Sequence, residues 1–199
     1  MESPVLRQVD EMLDQLLALR QSLQEAGHAA LASSNDLAAD VRGYLAGKGG
    51  KLPSVVAYED IVPGLRIGFQ QGRPLHLQAV ARPGGFELSL VRQTNSQWLT
   101  LEMSWSGAAL AHKGQARLLA TMSGNAEFTL PTFLRIAQPE RPVVEVPGSG
   151  LPVSPRRATV VDRFVPPDAE GLAPDAQVTV VAFLPTTPFA LLCEKLLIL

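Results

Sequence analysis

Cysteine, histidine and excess basic charge are all scarce in this sequence, and each scarcity removes a class of function. Cys193 is the sole cysteine in 199 residues. An internal disulfide is therefore impossible and a thiolate metal cluster is excluded. A reducing cytoplasm is the expected setting. His28, His76 and His112 are the only histidines, and no two stand at ligand spacing. Neither a histidine-based metal centre nor a cofactor is expected from them. Lys and Arg total 17 against 19 Asp and Glu, a net charge of -2, which lacks the basic footprint that nucleic acid requires. The longest apolar run, Leu196 to Leu199, is far too short for a membrane span. The opening stretch MESPVLRQVDEMLDQ mixes acids with its leucines, unlike the basic start and unbroken apolar core of a signal peptide.

Catalytic motifs are equally sparse. There is no G-x-S-x-G elbow, and the Gly148 to Gly150 stretch belongs to a proline-rich segment. Gly47-Lys48-Gly49-Gly50-Lys51 lacks the spacing and the following Ser or Thr of a phosphate-binding loop. Glu87 and Glu102 form a carboxylate pair only if their strands are neighbours on one face. Asp60, Asp162 and Asp168 are loop or strand acids open to calcium, with ordinary surface charge the simpler reading. No enzymatic activity is expected.

What is present falls into two textures. Ser3-Pro4 suits a helix start. From there Val5, Val9, Met12, Leu16, Leu19, Leu23, Ala26 and Ala30 recur in alternating steps of four and three. That is a coiled-coil seam, and residues 1–46 read as a helical stalk for oligomerisation or for docking. Packing on the chain's own sheet satisfies the same stripe. Ser33-Ser34-Asn35-Asp36 offers a cap for a shorter second helix carrying Leu37, Val41, Tyr44 and Leu45. The glycine-rich run after it opens a linker over residues 47–59.

Residues 60–199 read as an antiparallel β-sandwich of the jelly-roll kind, so the chain as a whole is mainly β. Alternating runs occur at Leu65–Phe69, Leu75–Ala81, Phe86–Val91, Trp98–Trp105, Ala116–Met122, Glu127–Leu130, Phe133–Ala137, Thr159–Val165, Gln177–Leu184 and Phe189–Leu199. No helical run separates them, so parallel crossovers are not expected. Phe86, Leu88, Leu90, Leu99, Leu101, Met103 and Trp105 take the core side by alternation. The last strand, FALLCEKLLIL, is apolar on both faces and is expected to be central. Pro139 to Pro155 and Pro166 to Pro174 read as long connections.

Alternation places His76, Gln78, Glu87, Ser89, Trp98, Thr100, Glu102, Arg117, Thr121 and Arg135 on the non-core side. An aromatic plane beside planar polar side chains is the chemistry that holds a sugar, by its C–H face and its hydroxyls. A solvated sheet face, with Trp98 covered by a helix or a loop, is the plain alternative.

With FLRIAQ in the middle and VAFLPTTPFALLCEKLLIL at the end, residues 60–199 resemble the jelly rolls of carbohydrate-binding modules and similar bacterial domains. The resemblance implies glycan binding and assigns no residue. Two readings result: a glycan-binding domain displayed on a helical oligomerisation segment, or a structural subunit of a larger bacterial or virus-like assembly. The expected partners are a polysaccharide, another protein, or further copies of the chain.

Overall fold

The computed structural model describes residues 36–52, 55–73, 75–173 and 175–199. The heptad stripe from Val5 to Ala30, with the oligomerisation residues Val5, Val9, Met12, Leu16, Leu19 and Leu23, lies outside them. The first described element is helix α1, Leu37–Gly47. Asp36 caps it, accepting the Ala38 N–H at 3.1 Å. The same Asp36 oxygen accepts the Leu196 N–H at 3.1 Å, tying the helix start to the last strand. Leu37, Ala38, Val41 and Leu45 are buried on one face, while Tyr44 is exposed. The helix stops where Gly49 and Gly50 take φ of 81° and 87°, and the Gly50 N–H returns to Leu45 O at 2.7 Å.

The strands form two main antiparallel sheets. The six-stranded sheet runs β1 (Asp60–Val62), β2 (Leu65–Phe69), β5 (Leu99–Ser106), β12 (Gln177–Phe183), β8 (Thr132–Ala137), β9 (Val144–Pro147). The five-stranded sheet runs β11 (Ala158–Phe164), β6 (Ala116–Gly124), β13 (Phe189–Ile198), β4 (Gly85–Leu90), β3 (Leu77–Arg82). A smaller pair joins β7 (Phe128–Leu130) to β10 (Leu151–Val153). Leu65, Ile67, Leu99, Met103, Val180 and Leu134 from one sheet meet Phe86, Leu88, Leu118, Ala120 and Leu191 from the other in a single apolar cluster. Burying each such large side chain contributes about 1.5–3 kcal/mol. Helix α1 packs against β3, β4 and β13 and also reaches β1, so its buried stripe belongs to the same cluster.

Strand β13 explains why the C-terminal run is apolar on both faces. It is central, between β6 and β4, and the register slips between Cys193 and Lys195. Cys193 pairs with inward-facing Met122 before the slip, and Leu196 pairs with inward-facing Ala120 after it. A one-residue bulge changes which parity faces inward, so both parities must be apolar in turn.

The structure corrects the sequence reading in three places. A short helix, α2 (Gly107–Lys113), stands between β5 and β6, where no helical run was expected. Ser106 caps it by accepting the Ala109 N–H, and Gly114 ends it in a left-handed conformation. The Pro139–Pro155 connection contains β9 and β10. Their prolines hid them, yet Pro147 ends an edge strand and Pro152 sits in a two-stranded pair, where a missing N–H is tolerated. Strand β1 was assigned to no strand because three residues carry no readable period.

Candidate functional site

The rows of the six-stranded sheet can be read straight across its register. Gly68, Thr100 and Phe183 form one row on the face turned away from the core. Arg66, Glu102, Val181, Phe133 and Pro147 form the next, and Ser104, Thr179, Arg135 and Glu145 a third. Their chain neighbours Ile67, Leu101, Val180 and Leu134 are core residues, so alternation alone fixes this outer set.

At one end of this face stands an aromatic platform. The Trp98 indole N–H donates to the Tyr58 hydroxyl at 3.1 Å. Tyr58 adopts φ of 62°, a sparsely populated conformation for a side chain of this size, while its own N–H bonds to Ile67 O at 2.9 Å. Its ring lies over Gly68, where a Cβ would come within 2.9 Å of Tyr58 Cε1 and 2.6 Å of Glu102 Oε1. Glycine is therefore required by close approach, the usual meaning of a glycine inside a strand. Trp98 is held from behind: Ser96 Oγ donates to Trp98 O and accepts the Gln70 N–H at 3.0 Å.

Beneath the platform lies a buried carboxylate. Glu102 is 4% exposed although it points away from the core. Arg66 Nε donates to it at 2.9 Å and Thr100 Oγ1 at 3.1 Å. The Arg66 guanidinium also sits 5.9 Å from the Tyr58 ring centre. Toward the other end, Phe133 and Phe183 pack with centroids 5.7 Å apart, and Arg135 covers the Phe133 ring while pairing with Glu145 at 2.9 Å. Tyr58 over β2 and the phenylalanines of β12 and β8 are separated by two to three strand spacings, roughly 10 to 15 Å.

The structure divides the ten residues that alternation had grouped. Trp98, Thr100, Glu102 and Arg135 share the outer face of the six-stranded sheet. Glu87, Ser89, Arg117 and Thr121 belong to the five-stranded sheet and turn away from the core on its own outer side. His76 and Gln78 lie at the β3 edge of that sheet and line a cleft there. One surface cannot hold all ten. Glu87 and Glu102 lie in different sheets, so they form no acid pair across a bond; Glu87 is held by Arg82 at 3.0 and 3.2 Å, which raises the Arg82 pKa. Among the described residues no group of three or more His, Cys, Asp or Glu side chains is placed to hold a metal. Asp162 spends its oxygens on the Ser149 and Arg163 N–H groups, at 2.8 and 3.0 Å, and on the Thr132 hydroxyl. Sequence reasoning missed Tyr58, Arg66, Phe133, Phe183 and Glu145. Phe183 was within reach, because Val178, Val180 and Ala182 inward put Phe183 outward; Tyr58 was assigned to the linker.

No protein-family model and no curated protein matches this chain by sequence. Solved structures with a similar arrangement of strands include carbohydrate-binding modules. The N-terminal cellulose-binding domain of Cellulomonas fimi β-1,4-glucanase C is 12% identical, with 70% of this chain and 90% of that one covered and a TM-score of 0.43. A family 11 carbohydrate-binding module of a Clostridium thermocellum cellulosomal cellulase is 10% identical, covering 73% and 93%, with a TM-score of 0.45. A family 30 module from the same organism is 14% identical, covering 67% and 89%, at 0.43. No helix among the described residues is long and apolar enough to cross a membrane.

Proposed function

We propose that the outer face of the six-stranded sheet binds a glycan without cleaving it. The observation that carries this reading is the Tyr58–Trp98 platform set over Gly68, beside the Arg66–Glu102–Thr100 network. Rings offer flat apolar surface to sugar C–H groups, and the neighbouring planar polar groups suit hydroxyls. Phe133 and Phe183 give a second aromatic contact farther along the same face. Glu102 is already committed to Arg66 and Thr100, which suits it to holding and not to proton transfer. The test is calorimetric titration of the full chain with a panel of soluble polysaccharides and their oligomers. Selective binding weakened roughly tenfold or more by Trp98→Ala supports the reading, since losing the burial of one large apolar side chain costs about 1.5–3 kcal/mol. Equal, weak binding to every polysaccharide refutes it.

The heptad stripe then has a physical purpose. Copies gathered through Val5, Val9, Met12, Leu16, Leu19 and Leu23 turn weak single contacts into avid ones. Light scattering of the full chain and of Leu16→Asp tests this: an oligomer lost in the variant supports it, and a monomer in both removes it.

A further inference from the structure

A cleft of different chemistry lies at the outer edge of β3, where Lys51 bridges to Val80 and the Leu52 N–H bonds to Ala79 O at 2.9 Å. Its volume is about 600 Å³, within the size range of small-molecule sites. Among the described residues its titratable lining is one-sided: Lys51, His76 and Arg92 contribute to it, and no acid does. Glu87, which faces Val80 across the β3–β4 ladder, is held by Arg82. Gln78 adds a planar amide able to donate and accept, and Leu75 and Val80 supply an aliphatic surface. Among the described residues no aromatic side chain lines the cleft, and none of them offers a ligand ring stacking. Affinity must come from charge, with neutral hydrogen-bonding groups beside it.

We infer that this cleft binds an acidic oligosaccharide, with a hexuronate carboxylate between Lys51 and Arg92 and its hydroxyls on Gln78 and His76. An arginine meets a carboxylate with two parallel N–H donors, while a lysine adds a point charge. Gln78 and His76 match hydroxyls, which a simple acyl anion lacks, and the aliphatic surface accepts the ring's C–H edge. The site is independent of the sheet face and needs none of its aromatics.

The experiment titrates the full chain with trimers of galacturonate, glucuronate and mannuronate, with neutral hexose trimers, and with octanoate. Wild type, Arg92→Gln, Lys51→Gln and Trp98→Ala are compared by calorimetry at low and high salt. At least one hexuronate trimer is expected to bind in preference to the neutral trimers, and to weaken with salt. Arg92→Gln and Lys51→Gln each reduce that affinity roughly tenfold, as loss of a charge-assisted hydrogen bond requires, and Trp98→Ala leaves it unchanged. No preference for hexuronates, or a preference indifferent to both substitutions, overturns the assignment. Arg92-dependent binding of octanoate as tight as that of the hexuronates overturns the sugar class. Loss of hexuronate binding in Trp98→Ala alone moves the ligand to the sheet face and likewise overturns the edge site.

Discussion

Gly68→Ala offers a test in which two well-understood effects oppose each other. In a strand, replacing glycine by alanine removes unfolded-state freedom and stabilises by about 0.4–1 kcal/mol wherever the native backbone accepts it. Gly68 is not among the glycines with positive φ, so its backbone accepts alanine. Space does not. The new methyl would press on the Thr100 hydroxyl, which is buried, and would stand 2.6 Å from Glu102 Oε1 and 2.9 Å from Tyr58 Cε1. Glu102 cannot withdraw cheaply, because it is buried and holds both Arg66 and Thr100. Of the three neighbours only Tyr58, 41% exposed, has room to swing away, and its ring then leaves Trp98 while Thr100 and Glu102 stay compressed. Overpacking of this kind costs about 1–3 kcal/mol. Set against the entropic gain, the net expectation is a loss of about 0.5–2 kcal/mol. Urea unfolding followed by tryptophan emission measures it, with a change in native emission as Trp98 loses its partner. Adding Tyr58→Ala removes one of the three obstructions, so the double variant should lose less than the sum of the single losses. A Gly68→Ala protein as stable as wild type or more so, with unchanged emission, refutes the close approach and the platform built on it.

Three further outcomes are expected. Asp162→Ala strands the Ser149 and Arg163 N–H groups and the Thr132 hydroxyl in a 1% exposed position, costing about 3 kcal/mol or more in denaturant, whereas Asp162→Asn keeps an oxygen for the N–H groups and costs markedly less. Burial pushes the Cys193 thiol up to about 12, so it should resist a thiol-specific reagent in the native chain and react once unfolded. Because the native state holds that proton more tightly than the unfolded chain, its contribution is complete below about pH 8.5 and declines by about 1.4 kcal/mol per pH unit toward 12; Cys193→Ala should lose this part of the alkaline slope. Arg66→Met leaves the Glu102 carboxylate buried with only Thr100, a loss of about 1.5–3 kcal/mol that Glu102→Gln should partly restore.

The strands with a clear period were legible because alternation is a local property. Leu65–Phe69 was placed to the residue, and Leu99, Leu101 and Met103 took the core side as read. Alternation says only in or out, however, and not of which sheet. Ser89 and Thr100 both read as outward, yet β4 pairs with β3 and β13 while β5 pairs with β2 and β12. The β5–β12 ladder joins Trp105 to Val178 across a long stretch of sequence, and no local pattern encodes such a pairing. That is why the ten outward residues were grouped on one surface that the fold divides. Tyr58 was hidden for a different reason: its role depends on a positive φ and on the space above Gly68, neither of which leaves a periodic trace.

Three locally unfavourable features meet at that spot. A strand interior carries a glycine, which costs about 0.5–1 kcal/mol relative to alanine. A tyrosine occupies a left-handed conformation, a cost of order 1–3 kcal/mol. A carboxylate is buried on the side of the sheet that faces away from the core. None is needed to close the sandwich, whose core is complete through Leu65, Ile67, Leu99 and Leu101 on the opposite side. An apolar or polar-neutral filling of the same volume would fold at lower cost. Their joint effect is to hold two aromatic rings and an arginine in fixed mutual positions at one end of the outer face of the six-stranded sheet. Where local preferences are overridden together, the override fixes the geometry of the rings on which the proposed binding rests.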